Sequence, residues 1–139
     1  MAWTAPRTWV TGEVVTAALM NTHVRDNLLA VQGWMDDCSH SEPSRALDTI
    51  YQNTSGKIKV VSVSITTTAE EVETVESLTD SATPPTTVIN KQGSADSTSG
   101  ALRFSMTFIV LVNHYYKVAI STGSPTLLEW HEWDLLGNS

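Results

Sequence analysis

At every second position from 102 to 112 the chain carries a large apolar residue: Leu102, Phe104, Met106, Phe108, Val110 and Val112, with Arg103, Ser105 and Thr107 between them. Successive side chains of a strand point to opposite faces, so this spacing specifies a strand with one buried side. A single strand cannot cover its own apolar face. The fold must therefore supply neighbouring strands and a second layer to pack against.

Further strands can be read on both sides of it. Residues 49–52 form a short strand that stops at Asn53-Thr54-Ser55-Gly56, a turn signal with a glycine available for positive φ. Residues 57–67 place Val61, Val63 and Ile65 on one face and Ser62, Ser64 and Thr66 on the other. In 70–78, Val72, Val75 and Leu78 fit a helix, whereas Val72, Thr74, Glu76 and Leu78 fit one face of a strand; the surrounding β pattern favours the strand. Pro84-Pro85 breaks the chain, 86–91 reads as an edge strand and 92–100 as a loop. After a turn at Asn113-His114, Tyr116, Val118 and Ile120 alternate with Lys117 and Ser121, which reads as the second half of a hairpin. A last strand over 127–136 carries Trp130 and Trp133 on opposite faces. Strands of this length separated by turn residues predict a mainly β chain, with a small antiparallel β-sandwich or jelly-roll-like domain over 49–139.

The first part of the chain has a different period. The arm AWTAPRTW holds two tryptophans and a proline ahead of any repeating pattern, and Gly12 allows a bend. Thr16 can then cap a helix running to about residue 35, on which Ala17, Met20, Val24, Leu28, Val31 and Met35 recur at helical spacing. A second stripe, Ala17, Met20, Val24, Asn27, Val31 and Trp34, has heptad-like spacing with one polar residue in the seam, a device that sets coiled-coil register. It spans under three heptads, so packing against the chain's own domain or a host surface is the favoured reading. Residues 36–48, DDCSHSEPSRALD, lose periodicity and read as a linker between the arm and helix (1–35) and the β-domain.

The 139 residues, 41% of them hydrophobic and 17% charged, suffice for one compact core. A formal charge of −7, from 15 acidic and 8 basic side chains, argues against a nucleic-acid backbone or an anionic membrane as partner and leaves a protein or a sugar. Glu70, Glu71, Glu73, Glu76 and Asp80 read as a solvated acidic face. The single cysteine, Cys38, cannot form an internal disulfide and reads as a partly buried thiol. With neither a signal-like start nor a run of membrane-spanning length, the expectation is a product of the cytoplasm without membrane insertion, so that Asn53-Thr54-Ser55 is a turn and not a glycan acceptor.

A search for chemistry yields no assembled site. In a strand Glu129 and His131 share a face while Glu132 points away, so three converging metal ligands are not expected there. His40 falls in the linker without a companion, and His114 and His23 read as solvated or hydrogen-bonded side chains. Cys38 has only His40 nearby, no G-x-S-x-G elbow occurs, and the seven glycines form no phosphate-cradling motif. The expectation is a non-enzymatic protein with no metal and no cofactor. Tyr115, Tyr116, Trp130 and Trp133 are instead candidate contacts for a ligand or a neighbouring subunit, because aromatic rings can stack on sugars or fill an interface.

Residues Trp9, Gly12, Val15, Thr16, Ala17, Ala18, Asn21, Arg25, Asp26, Asn27 and Leu28 resemble the string W-x-x-G-x-x-V-T-A-A-x-x-N-x-x-x-R-D-N-L at the N-terminus of many small virion proteins of tailed bacteriophages. Asn53-Thr54-Ser55-Gly56, Tyr115-Tyr116-Lys117 and Trp130-His131-Glu132 are similar to features of the β-domains carried by such arms. The resemblance implies an accessory virion protein, a capsid decoration or head-fibre protein, attached to other capsid or tail proteins and forming a homotrimer. Burial of surplus aromatic surface and of the short helix seam between copies favours the trimer independently. Trp3, Pro6, Trp9, Val15 and Leu19 are the expected particle-anchoring residues, and Met20, Val24, Leu28 and Val31 the helix seam. The alternative is a tail-fibre or receptor-binding protein whose β-domain binds a cell-surface glycan.

Overall fold

The computed structural model describes residues 3–36, 38–69, 71–94 and 100–137. The chain divides into two compact units, Met1–Cys38 and Ser39–Ser139.

In the first unit the helix begins where its cap was expected. Thr16 is extended and its hydroxyl accepts from the Leu19 N–H, opening α1 (Ala17–Met20). The helix then widens into a π segment, Asn21–Arg25, in which the Asp26 N–H reaches back to the Asn21 carbonyl, and continues as α2 (Asp26–Asp36). A wide turn of this kind adds a residue and rotates everything after it by about 100° relative to a regular 3.6-residue repeat. This corrects the expectation of one continuous apolar stripe. Asn27 and Ala30 are the buried positions, while Met20, Val24, Leu28 and Val31 stay exposed. The side chains of Trp34 and Met35 lie outside the described residues.

Among the described residues the second unit is a β-sandwich of eight strands: β1 (Ser39–Ser41), β2 (Tyr51–Gln52), β3 (Lys57–Thr66), β4 (Glu73–Asp80), β5 (Val88–Ser94), β6 (Arg103–Val110), β7 (Tyr115–Thr122) and β8 (Thr126–Gly137). One antiparallel sheet has the order β1-β8-β3-β6 and the other β2-β7-β4-β5. Apart from the β4–β5 hairpin, each pair of successive strands is split between the sheets, which makes the fold a jelly roll.

Alternation set the faces correctly in the central strands. Val61, Val63 and Ile65 of β3 face Met106, Phe108 and Val110 of β6 across a register that pairs Val61 with Phe108 and Val63 with Met106. Together with Val75, Tyr116, Val118 and Trp130 these residues form the core, and Phe104, Ile120 and Leu127 pack at its margin. Leu102 and Val112, which continue the same alternation, fall beyond the ends of β6 and are exposed.

Three expectations about the β part are corrected. Residues 36–48 are not simply a linker: β1 lies within them and pairs with β8, and Leu47 packs against the core. The segments before and after Asn113-His114 are not a hairpin, because β6 bonds to β3 in one sheet and β7 to β4 and β2 in the other. Asn53 holds this crossing. Its amide donates to the carbonyls of Lys57, Val110 and Leu111 at 2.8, 3.2 and 3.1 Å, and its own backbone exchanges bonds with His114 and Asn113. Asn53 is fully buried, so the N-T-S sequence offers no acceptor side chain to a glycan.

Thirdly, the acidic stretch is not uniformly solvated. Glu73 shares the inward face of β4 with Val75 and Ser77, and its carboxylate accepts from the Thr68 and Ser124 N–H groups at 2.7 and 2.9 Å. Gly123 must be glycine beside it: φ is +79° and an added Cβ would overlap the Glu73 side chain. Glu76 and Asp80 are only part-exposed, paired with Lys91 and with Thr86 and Thr87 respectively, and Glu70 lies outside the described residues.

Candidate functional site

In the first unit the arm folds back on its own helix through one side chain. Asn27 Oδ1 accepts from the Thr4 N–H at 2.9 Å, and Nδ2 donates to the Thr4 and His23 carbonyls at 3.0 and 3.2 Å. The polar residue expected to set coiled-coil register is thus fully engaged within the chain. Its clasp brings Trp3 and Pro6 of the arm beside Val24, Leu28 and Val31 of the helix, around an open cleft of about 300 Å³. Trp9 meets His23 edge-on, with rings 6.4 Å apart, and the Arg7 guanidinium lies 5.0 Å from its ring centroid. Arg7 in turn pairs with Glu13. Trp3 and Trp9 are still 46% and 42% exposed, and Val10, Val14 and Val15 project at 68%, 78% and 52%. Leu19 is half-buried. The expected anchoring and seam residues therefore converge in part: Trp3, Pro6, Val24, Leu28 and Val31 share one cleft, while Val15 and Met20 stand exposed beside the first helical turns.

In the sandwich the four aromatic candidates divide between the two sides of the sheets. Tyr116 and Trp130 belong to the core, at 0% and 5% exposure, which corrects their reading as ligand or subunit contacts. Trp133 points outward and is half-buried, and Tyr115 is half-buried. The interior pair meets on Glu132, the residue two beyond Trp130 on the same face of β8. Tyr116 Oη and Trp130 Nε1 donate to Glu132 Oε1 at 2.7 and 2.9 Å. Arg45 Nε approaches the same oxygen at 3.2 Å, Lys59 Nζ lies 3.0 Å from Oε2, and Asp134 closes the network 2.7 Å from Lys59. Burial pushes the Glu132 carboxyl up, but the bonds from Tyr116, Arg45, Lys59 and Trp130 outweigh it and hold it below the usual carboxylate range. The Tyr116 phenol is pushed far above its ordinary value by burial and by this carboxylate. Burial opposes the charged form of Lys59 too, but its two carboxylates raise it above the ordinary lysine value. Such a network closes one end of the core and ties its polar groups to one another.

On the outer face of the same sheet a second cluster forms, absent from the reading of the sequence. The β1–β8 register sets His40 opposite Trp133, and alternation puts Glu42 on the face of His40 and Glu129 and His131 on the face of Trp133. His40 Nε2 is 3.2 Å from His131 Nδ1, and Glu42 Oε1 is 3.5 Å from the same Nδ1. Glu129 Oε2 lies 3.7 Å from the opposite nitrogen, His131 Nε2. The indole of Trp133 stacks on both imidazoles, with centroids 5.0 and 5.8 Å apart. A short polar strand was the signal available for this cluster: Ser39-His40-Ser41-Glu42 alternates, but without an apolar residue to mark it as β. Cys38, expected to be partly buried, is exposed.

Where β5 and β6 form the free edges of the two sheets, Ile89, Phe108, Ile109 and Leu111 line an open groove of about 570 Å³. Among the described residues no helix is long and apolar enough to cross a membrane. No family model, curated protein or solved structure matches this chain.

Proposed function

We propose that the chain is a non-enzymatic structural protein of a tailed-phage particle, a capsid decoration or head-fibre protein. Its arm and helix attach to other virion proteins, and its jelly roll is displayed on the surface as a homotrimer. The observation that carries this reading is the uncovered apolar surface of the first unit, where Trp3, Trp9, Val10, Val14, Val15, Val24 and Leu28 are all more than 40% exposed. A surface of that kind is costly in water and marks a place where another protein lies. The pre-formed clasp at Asn27 lowers the ordering cost of docking the arm, and three arms in one trimer make release of all three improbable.

The trimer is supported by the apolar groove at the β5 and β6 edges, with Ile109 and Leu111 56% and 50% exposed. Unpaired sheet edges carrying such residues are open to pairing with another copy, and a head-to-tail contact whose rotation closes after three copies makes a trimer. The receptor-binding alternative loses weight, since Tyr116 and Trp130 are interior and cannot stack on a sugar. The test is incorporation: Trp3→Ala/Trp9→Ala should leave the β-domain folded and reduce its copy number in purified particles. Equal incorporation of the variant, or absence of the wild-type protein from particles, refutes the reading. Light scattering of the isolated protein tests the trimer, which fails if the mass is that of one chain.

A further inference from the structure

We propose that His40, Glu42 and His131 form a binding site for a zinc-class divalent transition metal on the outer face of the β1–β8 pair. The nitrogens His40 Nε2 and His131 Nδ1 are 3.2 Å apart, and the three donor atoms all lie within 4.8 Å of one another. Ligands placed tetrahedrally at about 2.0–2.1 Å from a zinc ion are roughly 3.3–3.4 Å from each other. The imidazole pair therefore already has the separation that one shared ion demands. The carboxylate, 3.5 Å from His131 Nδ1, is near that separation too and needs only a small adjustment of an exposed side chain.

A second feature points the same way. Metal-bound histidines commonly present their other nitrogen to a carboxylate, which fixes the tautomer and the ring orientation. His131 comes close to that arrangement: Nδ1 faces His40 and Glu42, while Nε2 faces Glu129 at 3.7 Å, a distance that a turn of the exposed Glu129 side chain would close to a hydrogen bond. A proton held on Nε2 leaves the Nδ1 lone pair for the ion. Trp133 stacks against both imidazoles and limits their rotation.

The donor set selects the metal. Two imidazoles and one carboxylate suit zinc, copper or nickel, whereas calcium and magnesium require more oxygen ligands. A fourth position stays open to water or to a side chain of another molecule. Within one chain the ion would staple β1, an edge strand of three residues, to β8. This site is independent of the virion reading and stands or falls without it.

Titration of the full-length protein with zinc chloride, followed by calorimetry and by thermal melting, tests the proposal. One ion per chain is expected to bind saturably and to raise the melting temperature. His40→Ala and His131→Ala should each abolish this, and Glu129→Gln, which touches only the far side of His131, should weaken binding about tenfold. Copper should quench tryptophan fluorescence in the wild type and much less in Trp133→Phe. No saturable uptake by the wild type, or uptake unchanged in His40→Ala and His131→Ala, would overturn the site.

Discussion

Tyr116, in the middle of one sheet, donates its phenolic proton to Glu132, in the facing sheet, at 2.7 Å. The bond ties the two layers at the end of the core, where Trp130, Arg45 and Lys59 reach the same carboxylate. Removing Glu132 leaves Lys59, a side chain only 9% exposed, with Asp134 alone, and leaves Arg45 without its acid. Breaking a buried ion pair on one side costs about 3–5 kcal/mol. Glu132→Ala is expected to lose that much in urea unfolding. Tyr116→Phe removes one charge-assisted bond and should lose about 1.5–3 kcal/mol. A Glu132→Ala protein as stable as the wild type would show that the network contributes nothing.

The same carboxylate gives the domain an acid limit. Its folded-state pKa is depressed below the ordinary 4.5, so its contribution is fully present above 4.5 and is lost as pH falls through the lower folded value. Lys59 has the opposite sign: its raised value keeps its contribution below 10.5 and removes it only at higher alkalinity. The difference in stability between wild type and Glu132→Gln should be constant at neutral pH and shrink below 4.5. Chemical unfolding at a series of pH values measures this difference, and a gap that widens in acid would contradict the assignment.

Asn53 makes a separate prediction because the two N–H groups of its amide are shared among three carbonyls, those of Val110 and Leu111 where the chain leaves β6 and that of Lys57 at the start of β3. Asn53→Ala leaves them without that donor, at about 1–3 kcal/mol for each carbonyl that water does not reach. Asn53→Asp keeps the shape but sets an anion against three oxygens, so it should be the worse of the two at neutral pH and recover partly in acid. Melting temperatures of the two variants at neutral and acid pH decide this.

In the arm, Asn27 exchanges two hydrogen bonds with the backbone of Thr4, in the manner of a neighbouring strand. Asn27→Ala removes both hydrogen bonds between arm and helix and leaves the edge contact of Trp9 with His23. Limited proteolysis should then cut within the arm several times faster, while the β-domain melts at an unchanged temperature. Equal cleavage rates would mean that the clasp does not hold the arm in solution.

Much of this architecture was legible because it depends on faces. Alternation marked Val61, Val63 and Ile65 on one strand and Met106, Phe108 and Val110 on another as inward-facing, and residue type together with the helical spacing after it marked Thr16 as a cap. Alternation says which way a side chain points but not which strand lies beside it, so the β6–β7 connection read as a hairpin when it joins two sheets. Lys59 was legible in principle: it continues the inward face of Val61, and a lysine there requires a buried acid. The His40–His131 pairing was not, because their strands meet across 91 residues and β1 has no apolar residue to announce it. The π segment escaped for a related reason, since Asn21–Arg25 has ordinary helical composition and the extra residue leaves no mark on the period before it.

The boundary between the two units can be tested directly. Reading 36–48 as a linker predicts that a fragment of residues 49–139 holds the whole β-domain. The structure places β1, Arg45, Leu47 and Asp48 in it as well: Arg45 pairs with Glu132, Leu47 packs on the core, and Asp48 accepts from the Ile120 N–H while its own N–H donates to Val118. A fragment of residues 39–139 should therefore unfold in one cooperative step with the β spectrum of the full chain. The fragment starting at 49 loses a partner of a buried carboxylate and part of the core cover. It should be less stable by at least about 3 kcal/mol, or fail to fold. Equal urea midpoints for the two fragments would restore the linker and reduce β1 to a decoration of the sheet edge.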